Sequence, residues 1–323
     1  MAKSTNGSSN IIQTRNLTKE FDGEFAVNNL SFEVPTGQIF GLIGPSGCGK
    51  TTTVRLLTGV YRPTSGGARV LGEDPQRFSQ NARAKIGYML QQSVLYPNLT
   101  VWENINFASA IYGIGPRRGK QLRRALEFVE LDEHRHKAVI NISGGMQRRL
   151  SLAATLAHDP ALLFLDEPTT GVDPVLRRKF WDHFDRLRNE GRTLLVTTQY
   201  VGEAAYCDMV AVMQNGRLLF VDTPRGLRLR TYGGELVDMR AADYFDPRVF
   251  DSLVTVDGVR DIRRVDASHL RLVVEDAGVV MPRLVEWSQA QGVGIQSVEE
   301  YQPPFDDVFV HLIEQQGEST SNA

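Results

Sequence analysis

The sequence lacks the features that mark several classes of protein. It has only two cysteines, Cys48 and Cys207, which argues against a disulfide framework and favours a reducing compartment. No stretch comes close to about eighteen uninterrupted apolar residues, and the N-terminus is rich in Ser, Asn and Gly rather than apolar. We therefore expect a cytosolic chain without a secretory signal that does not cross a membrane by itself.

An excess of either charge is also missing. The 36 Lys and Arg residues against 38 Asp and Glu residues leave a formal net charge of -2. Proteins that bind nucleic acid usually carry a basic excess or a basic stripe. We therefore expect no nucleic-acid partner. The length of 323 residues predicts about two domains.

What is present is a glycine-rich loop directly after the apolar run 38–43. The loop consists of Gly44, Pro45, Ser46, Gly47, Cys48, Gly49, Lys50, Thr51 and Thr52. This spacing predicts a phosphate-binding loop, because glycines let successive N–H groups face an anionic phosphate while Lys50 reaches the β- and γ-phosphates. Thr51 then offers its hydroxyl to Mg²⁺, and the helix that follows adds its N-terminus. The alternative is a plain glycine-rich turn between a strand and a helix.

Two carboxylates end a second apolar run. Leu162 to Leu165 are followed by Asp166 and Glu167, as expected of a buried parallel strand that delivers acids to the ligand-binding edge of a sheet. Asp166 is predicted to hold Mg²⁺, directly or through water, because Mg²⁺ prefers one or two carboxylates beside phosphate oxygens. Glu167 is then free to polarise an attacking water.

Two glutamines also follow predicted strands. Gln91 comes after the run 86–90, where its amide could contact Mg²⁺ or the attacking water. Gln199 comes after the β-branched run Thr193 to Thr198. A glutamine at one strand end would mean little by itself, so both predictions depend on the loop and the two acids.

A second candidate anion site begins at Ser143, which can cap a helix, and Gly144 and Gly145 let a ligand approach the backbone closely. An ordinary capped helix is the alternative. Because one phosphate loop already exists, the motif is most simply explained if it contacts the nucleotide of another copy. Upstream, Phe21 precedes a turn and either stacks on a purine or belongs to the core.

The pattern of elements predicts two domains. Antiparallel strands come first, then alternating strands and helices, and the last part follows the order β-α-β-β-α-β of a ferredoxin-like arrangement. Apolar residues near Val94 and Tyr96 form either a small core or a docking surface. The predicted boundaries are a disordered tail (1–10), the first domain (11–222) with a helical insert (about 93–142), a linker (223–234), an α+β domain (235–314) and a second disordered tail (315–323).

Taken together, these motifs resemble the ATP-binding subunit of an ABC transporter over roughly residues 11 to 230. The resemblance implies the following family motifs: the A-loop aromatic at Phe21, Walker A at 44–52, the Q-loop at Gln91, the signature at 143–145, Walker B at 162–166, the catalytic base at Glu167 and the D-loop at Asp173.

The implied fold is α/β: a P-loop ATPase domain with an antiparallel β subdomain and a helical insert, plus the C-terminal α+β domain. ATP and Mg²⁺ are the implied ligands, with Lys50, Glu167 and Gln199 in catalytic roles. The family also implies a head-to-tail dimer, in which each ATP lies between Walker A of one copy and the signature of the other. A separate permease would hold the subunit at the cytoplasmic face of the membrane.

The sequence Thr-Thr-Gln-Tyr at 197–200 and the C-terminal extension look most like exporters of the daunorubicin-resistance and related ABC-2 type. This implies export of a hydrophobic compound such as a drug. The alternatives are export of a polysaccharide or lipid-linked product, or a nucleotide-gated switch that acts without transport.

Three positions depart from the family pattern. The signature reads Ile-Ser-Gly-Gly-Met, the A-loop position holds Phe rather than Tyr, and Gln199 stands where most members have a histidine. Glutamine can still donate a hydrogen bond to a γ-phosphate, but it cannot carry positive charge. We expect hydrolysis to persist.

Overall fold

The structure, a computed structural model, describes residues 10–92, 94–113, 115 and 118–321, with side chains up to Glu314. Of the two predicted tails, 1–10 and 315–323, residues 1–9 and 322–323 lie outside the described residues. The chain forms two compact units that divide between Val221 and Asp222.

The first unit contains two sheets and the helices around them. Its strands are β1 (Asn10–Phe21), β2 (Glu24–Leu30), β3 (Glu33–Pro35), β4 (Ile39–Ile43), β5 (Ser65–Val70), β6 (Ile86–Met89), β7 (Leu162–Asp166), β8 (Thr193–Thr198), β9 (Met209–Gln214) and β10 (Arg217–Asp222). Its helices are α1 (Lys50–Leu57), α2 (Gln80–Ala84), α3 (Val101–Ile111), α4 (Gly119–Phe128), α5 (Gly144–Leu156) and α6 (Pro174–Asn189).

The smaller sheet confirms the predicted antiparallel β subdomain. Strand β1 pairs antiparallel with β2, β3 and β5. Register shifts after Arg15 and Leu17 bend this long strand and let its two halves pair with different neighbours. Its buried side chains, Ile12 and Leu17 among them, join one core with those of β4 and α1.

The larger sheet has the strand order β10-β9-β4-β8-β7-β6. The pairs β4·β8, β4·β9, β6·β7 and β7·β8 are parallel, and every residue of β4, β7 and β8 is buried. Near-continuous apolar runs are typical of such strands, since both faces of the sheet are covered. The carboxyl ends of these parallel strands lie at one edge, which brings together Gly44, Asp166 and Gln199 from distant parts of the sequence.

Helices α3 and α4 form the predicted helical insert. Helix α3 begins with a capping box, in which Thr100 and Glu103 satisfy each other's backbone N–H groups. The insert packs on α5 through fully buried side chains such as Ile105 and Leu122.

The second unit contains a four-stranded antiparallel sheet of order β12-β13-β11-β14. Its elements are α7 (Pro224–Tyr232), β11 (Glu235–Ala241), α8 (Phe250–Val254), β12 (Val259–Arg264), β13 (His269–Val274), α9 (Ala277–Gln291), β14 (Ile295–Tyr301) and α10 (Phe305–Ser321). From β11 to β14 this is the β-α-β-β-α-β order with the first strand inside the sheet. Apolar residues of β11, β13 and α9 form its core.

Two boundary predictions were wrong. Residues 223–234 are not a linker, because Thr223 caps helix α7, Pro224 is its first residue and Gly233 ends it in the left-handed conformation. Proline at the start and glycine at the end are typical helix boundaries, and the sequence prediction took both as breakers. Helix α10 also continues past residue 314 to Ser321, since a helix that has already formed adds residues at little cost.

Candidate active site

The glycine-rich loop lies between β4 and α1 and fits closely against its neighbours. Gly49 has a φ of 106°, and a Cβ there would lie 2.2 Å from the carbonyl oxygen of Ala26. A Cβ on Gly44 would lie 2.1 Å from the carbonyl oxygen of Met213. The backbone therefore tolerates only glycine at these two positions.

Lys50 is the first residue of α1 and is 3% exposed. Its Nζ donates hydrogen bonds to the carbonyl oxygens of Gly44 (2.8 Å) and Pro45 (3.0 Å) and lies 3.6 Å from Oε1 of Glu167. A buried ammonium needs such partners, because burial without them is costly. The loop thus holds a positive charge over the ring of backbone groups that would meet a phosphate.

Asp166 ends β7 and is 1% exposed. Its Oδ1 accepts hydrogen bonds from the hydroxyl groups of Thr197 (2.6 Å) and Thr51 (3.1 Å). Its Oδ2 is buried and has no hydrogen-bond partner within the described ranges. Burial raises the pKa of Asp166 above its usual range, and the bonds from Thr197 and Thr51 oppose that shift.

The oxygen atoms around Asp166 fit a magnesium ion. Mg²⁺ takes hard oxygen ligands and, in nucleotide sites, uses one or two carboxylates beside phosphate oxygens and water. The unpartnered Oδ2 of Asp166 and the hydroxyl of Thr51 are such oxygens. Among the residues described, no group of three or more His, Cys, Asp or Glu side chains could hold a metal by itself. Phosphate oxygens of a bound nucleotide would have to complete the coordination.

Glu167 is held from several sides. Its Oε2 accepts hydrogen bonds from the Gln91 amide (3.0 Å) and the Thr170 hydroxyl (3.1 Å), while its Oε1 faces Lys50. Its φ of 46° lies in the left-handed region, which a non-glycine residue rarely adopts. The backbone N–H donates to both the carbonyl and the hydroxyl oxygen of Thr197, at 3.1 and 3.0 Å. This unusual conformation is held by several bonds at once, as is typical of functional sites.

Sequence reasoning missed Arg148, which is 7% exposed on α5. Its guanidinium donates to the backbone carbonyl oxygens of Gln91 (2.7 Å), Glu167 (2.5 Å) and Pro168 (2.8 Å). Arg148 therefore connects α5, the helix that starts at the Ser-Gly-Gly motif, to the backbone at Gln91 and to the backbone at Glu167. Only the position of a charged residue on an otherwise buried helix face could have indicated this role.

The remaining predicted residues do not join this cluster through any hydrogen bond that the described residues show. Ser143 is exposed and caps α5 by accepting from the N–H of Met146 at 3.2 Å. Asp173 is exposed and caps α6 by accepting from the N–H groups of Val175 and Leu176, both at 3.0 Å. Gly144 is exposed and Gly145 half-buried beside Ser143. Their roles in ligand binding stay predictions.

Phe21 and Gln199 lie at two other element ends. Phe21 ends β1, is 40% exposed and meets the ring of Tyr61 edge-on at 5.4 Å between centroids. The exposed ring is not part of the described core, and its stacking on a base stays a prediction. Gln199 directly follows β8 and is half-buried. Of the two, only Gln199 lies at the sheet edge that carries the acids.

Comparison with known proteins identifies the family of the chain. The daunorubicin/doxorubicin resistance ATP-binding protein DrrA of Streptomyces peucetius is 34% identical over 306 residues, which cover 93% of this chain and 92% of that protein. The chain belongs to the ATP-binding proteins of ABC transporters. The family model described as "ABC transporter" matches residues 27–170 of this ABC protein.

Other similar proteins match a smaller share of this chain. A probable multidrug ABC transporter ATP-binding protein, YbhF of Escherichia coli K12, is 40% identical over 242 residues, and these are 75% of this chain but only 42% of that relative. The dimeric structure of a bacterial ABC transporter cassette matches 66% of this chain and 98% of its own, with a TM-score of 0.61 and 25% identity. In the part of this ABC protein that the structure describes, no helix is long and apolar enough to span a bilayer.

Proposed function

We propose that this ABC protein hydrolyses ATP with Mg²⁺ and thereby powers the export of a hydrophobic compound, such as a drug, through a separate permease. One observation carries the proposal. Three separate segments contribute Lys50 and Thr51, Gln91, and Asp166 and Glu167, and each of these residues contacts another of the group. Lys50, Asp166 and Glu167 are buried. A cation, a hydroxyl and two carboxylates at the edge of a parallel sheet are the groups that phosphoryl transfer needs.

The residues have separate roles in this mechanism. Lys50 and the loop N–H groups bind the β- and γ-phosphates. Thr51 and Asp166 would hold Mg²⁺, which would supply positive charge to neutralise the phosphate oxygens. Glu167 accepts a proton from the attacking water at its carboxylate, and Gln91 orients that carboxylate through Oε2. Because Gln91 lies where the sheet meets the helical insert, it also connects the chemistry to that insert.

A second copy is part of the proposal. Ser143, Gly144 and Asp173 are exposed at the starts of two helices, where free N–H groups favour an anion. Their exposure fits the head-to-tail arrangement in which these groups meet the nucleotide of the partner. The related bacterial cassette was itself solved as a dimer.

The permease would dock on the helical insert. A cavity of about 190 Å³ lies just after Gln91, and the exposed apolar side chains of Leu90, Val94, Ile111 and Tyr112 line it. Exposed apolar groups that gather at one groove are typical of an interaction site. Docking there would place the subunit at the cytoplasmic face of the membrane.

Cargo and turnover are the two points on which alternatives differ. Relatives named for multidrug and for daunorubicin resistance support a drug, while a polysaccharide or lipid-linked product is the alternative cargo. A nucleotide-gated switch without turnover is the second candidate function. Glu167 argues against it, while Gln199 leaves it open, since glutamine cannot supply the charge of an imidazolium.

Steady-state ATP hydrolysis with Mg²⁺ tests the proposal, with and without the permease encoded beside this chain. Glu167→Gln should lower turnover by about a hundredfold or more while ATP still binds. Glu133→Gln changes an exposed carboxylate and should leave turnover unchanged. Gln199→His should keep or raise the rate. ATP binding without hydrolysis in the wild-type chain would favour the switch, and loss of ATP binding in Glu167→Gln would show that the base is misassigned.

A further inference from the structure

Thr197 is a buried residue of β8, and the sequence motifs assign no role to its side chain. It is 0% exposed and lies two residues before Gln199, next to the end of β7. Strand pairing places it opposite Asp166, because β7 and β8 run parallel and these two residues are partners in register. Its side chain therefore lies between the acids and the segment that leads to Gln199.

The hydroxyl of Thr197 has a defined direction. A hydroxyl carries one proton and can also accept. It accepts from the backbone N–H of Glu167 at 3.0 Å, so its proton is free to go to Oδ1 of Asp166 at 2.6 Å. The Thr197 hydroxyl thus bonds to the carboxylate of Asp166 and to the backbone N–H of Glu167.

These bonds decide which oxygen of Asp166 is left for a cation. Oδ1 already accepts from two hydroxyls, those of Thr197 and Thr51. Oδ2 has no partner among the described residues, although it is buried. Such an atom is costly unless a ligand satisfies it.

We propose that Thr197 is a positioning residue, which fixes the Asp166 carboxylate so that Oδ2 faces Mg²⁺ and ties the backbone of Glu167 to the same point. The inference rests on the proposed ATPase function. It adds a role for β8 that does not depend on a charge at Gln199. Thr197 itself touches neither the nucleotide nor the metal in this role.

Thr197→Val is a suitable test because it removes the hydroxyl and keeps the shape. The N–H of Glu167 retains the carbonyl oxygen of Thr197 as an acceptor at 3.1 Å, and Oδ1 of Asp166 retains Thr51. We therefore expect the protein to fold, which a thermal melt checks. Thr197→Ser restores the hydroxyl.

The chain offers a matched control on the same strand. Thr193 begins β8, is also 0% exposed, and its hydroxyl accepts from the N–H of Gly37 at 2.8 Å. Thr193→Val therefore removes an equally buried hydroxyl bond at the opposite end of the strand, away from the acids.

The experiment is calorimetric titration of the full chain with ATP, once with Mg²⁺ and once with EDTA, followed by turnover measurements. In Thr197→Val the gain in ATP affinity due to Mg²⁺ should fall about tenfold, since one charge-assisted bond to Asp166 is lost. Affinity in EDTA should stay within about twofold, while kcat with saturating Mg²⁺ and ATP falls about tenfold. Thr197→Ser should recover both values, and Thr193→Val should match wild type.

The outcomes separate the two proposals. Equal Mg²⁺ dependence in Thr197→Val and Thr193→Val would overturn the positioning role. A wild-type chain whose ATP affinity gains nothing from Mg²⁺ would overturn it together with the magnesium site. If wild type gains affinity but does not turn over, the ATPase proposal fails, and the titrations still decide the role of Thr197.

Discussion

The two groups of predicted nucleotide-site residues in this ABC protein differ in how they are held. Lys50, Asp166 and Glu167 are at most 6% exposed and contact one another directly or through threonine hydroxyls. Ser143 and Asp173 are exposed, and the hydrogen bonds seen for their side chains among the described residues go to the first turns of their own helices. The first group is already assembled within one copy, whereas the second offers helix starts to something outside it.

This difference indicates how the chemistry would be divided. A buried charged cluster must be assembled by the fold, because unpaired charges inside a protein are costly. An exposed helix start costs little and gains most when an anion arrives. A dimer that closes on ATP would therefore bring a finished catalytic half against a binding half.

The largest effect should come from breaking each half in turn. Lys50→Ala removes the buried cation, and Gly144→Asp puts a carboxylate at the start of α5, where it would repel a phosphate. Each variant alone should lose turnover by about a hundredfold. Mixed together they should recover about a quarter of wild-type turnover, because half of the dimers are mixed and each of these keeps one intact site. Steady-state hydrolysis of the mixture measures this.

Gly119→Asp is the control for that experiment. Gly119 and Gly144 are both first residues of helices, and a Cβ on either meets nothing within 4 Å. The control should keep nearly wild-type turnover. A mixture as inactive as its two components would refute the division between copies.

A smaller effect should come from Phe21, which is exposed yet is predicted to act within its own copy. Phe21→Ala should weaken ATP binding about tenfold, the value of one aromatic stacking contact. Binding of inorganic triphosphate should not change, because that ligand has no base. Titrating both ligands in the Gly144→Asp background, where the closed dimer is blocked, isolates the effect. Phe25→Ala alters an even more exposed ring, at 52%, and serves as the control; equal losses in both variants would argue against stacking.

The last change concerns stability rather than activity, and it lies on α6, the helix that Asp173 caps. His183 on this helix is 3% exposed, and burial, together with Arg186, lowers its pKa to about 4. The unfolded chain would titrate near a pKa of about 6.5. The folded state thus favours the neutral ring, so the stability it contributes is full above about pH 6.5 and is lost as the pH falls towards 4, by at most about 1.4 kcal/mol per pH unit.

Urea unfolding between about pH 4.5 and 7 measures that slope. His183→Leu should flatten it, while His136→Gln, which changes an exposed histidine, should leave it as it is. If wild type and His183→Leu show the same slope, another group causes the acid loss.

Much of the first unit could be predicted from short stretches of sequence. The loop 44–52, the acids after β7 and the antiparallel subdomain follow from local spacing and alternation, and the fold confirms their elements. The second unit kept the predicted order of strands and helices, although α7 was taken for a linker. There, proline and glycine mark the two ends of a helix rather than its absence.

The contacts within the site could not be predicted in the same way. From its residue type, Arg148 would be expected on the exposed face of a helix. In the structure it donates hydrogen bonds to the carbonyl oxygens of Gln91 and Glu167. Gln91 was expected to reach Mg²⁺ or water, and the structure places its amide on Glu167. No spacing within one segment shows which carbonyl or carboxylate a neighbouring segment will present.

The sequence by itself determined which chemical groups are available and at which strand ends they occur, since a phosphate loop and a strand that ends in two acids depend on consecutive residues. Only the tertiary structure decided how those groups meet. The bond from Thr51 to Asp166 joins residues 115 apart, and the bond from Thr197 joins residues 31 apart. Such bonds depend on the strand order β4-β8-β7, which is set when the whole sheet packs.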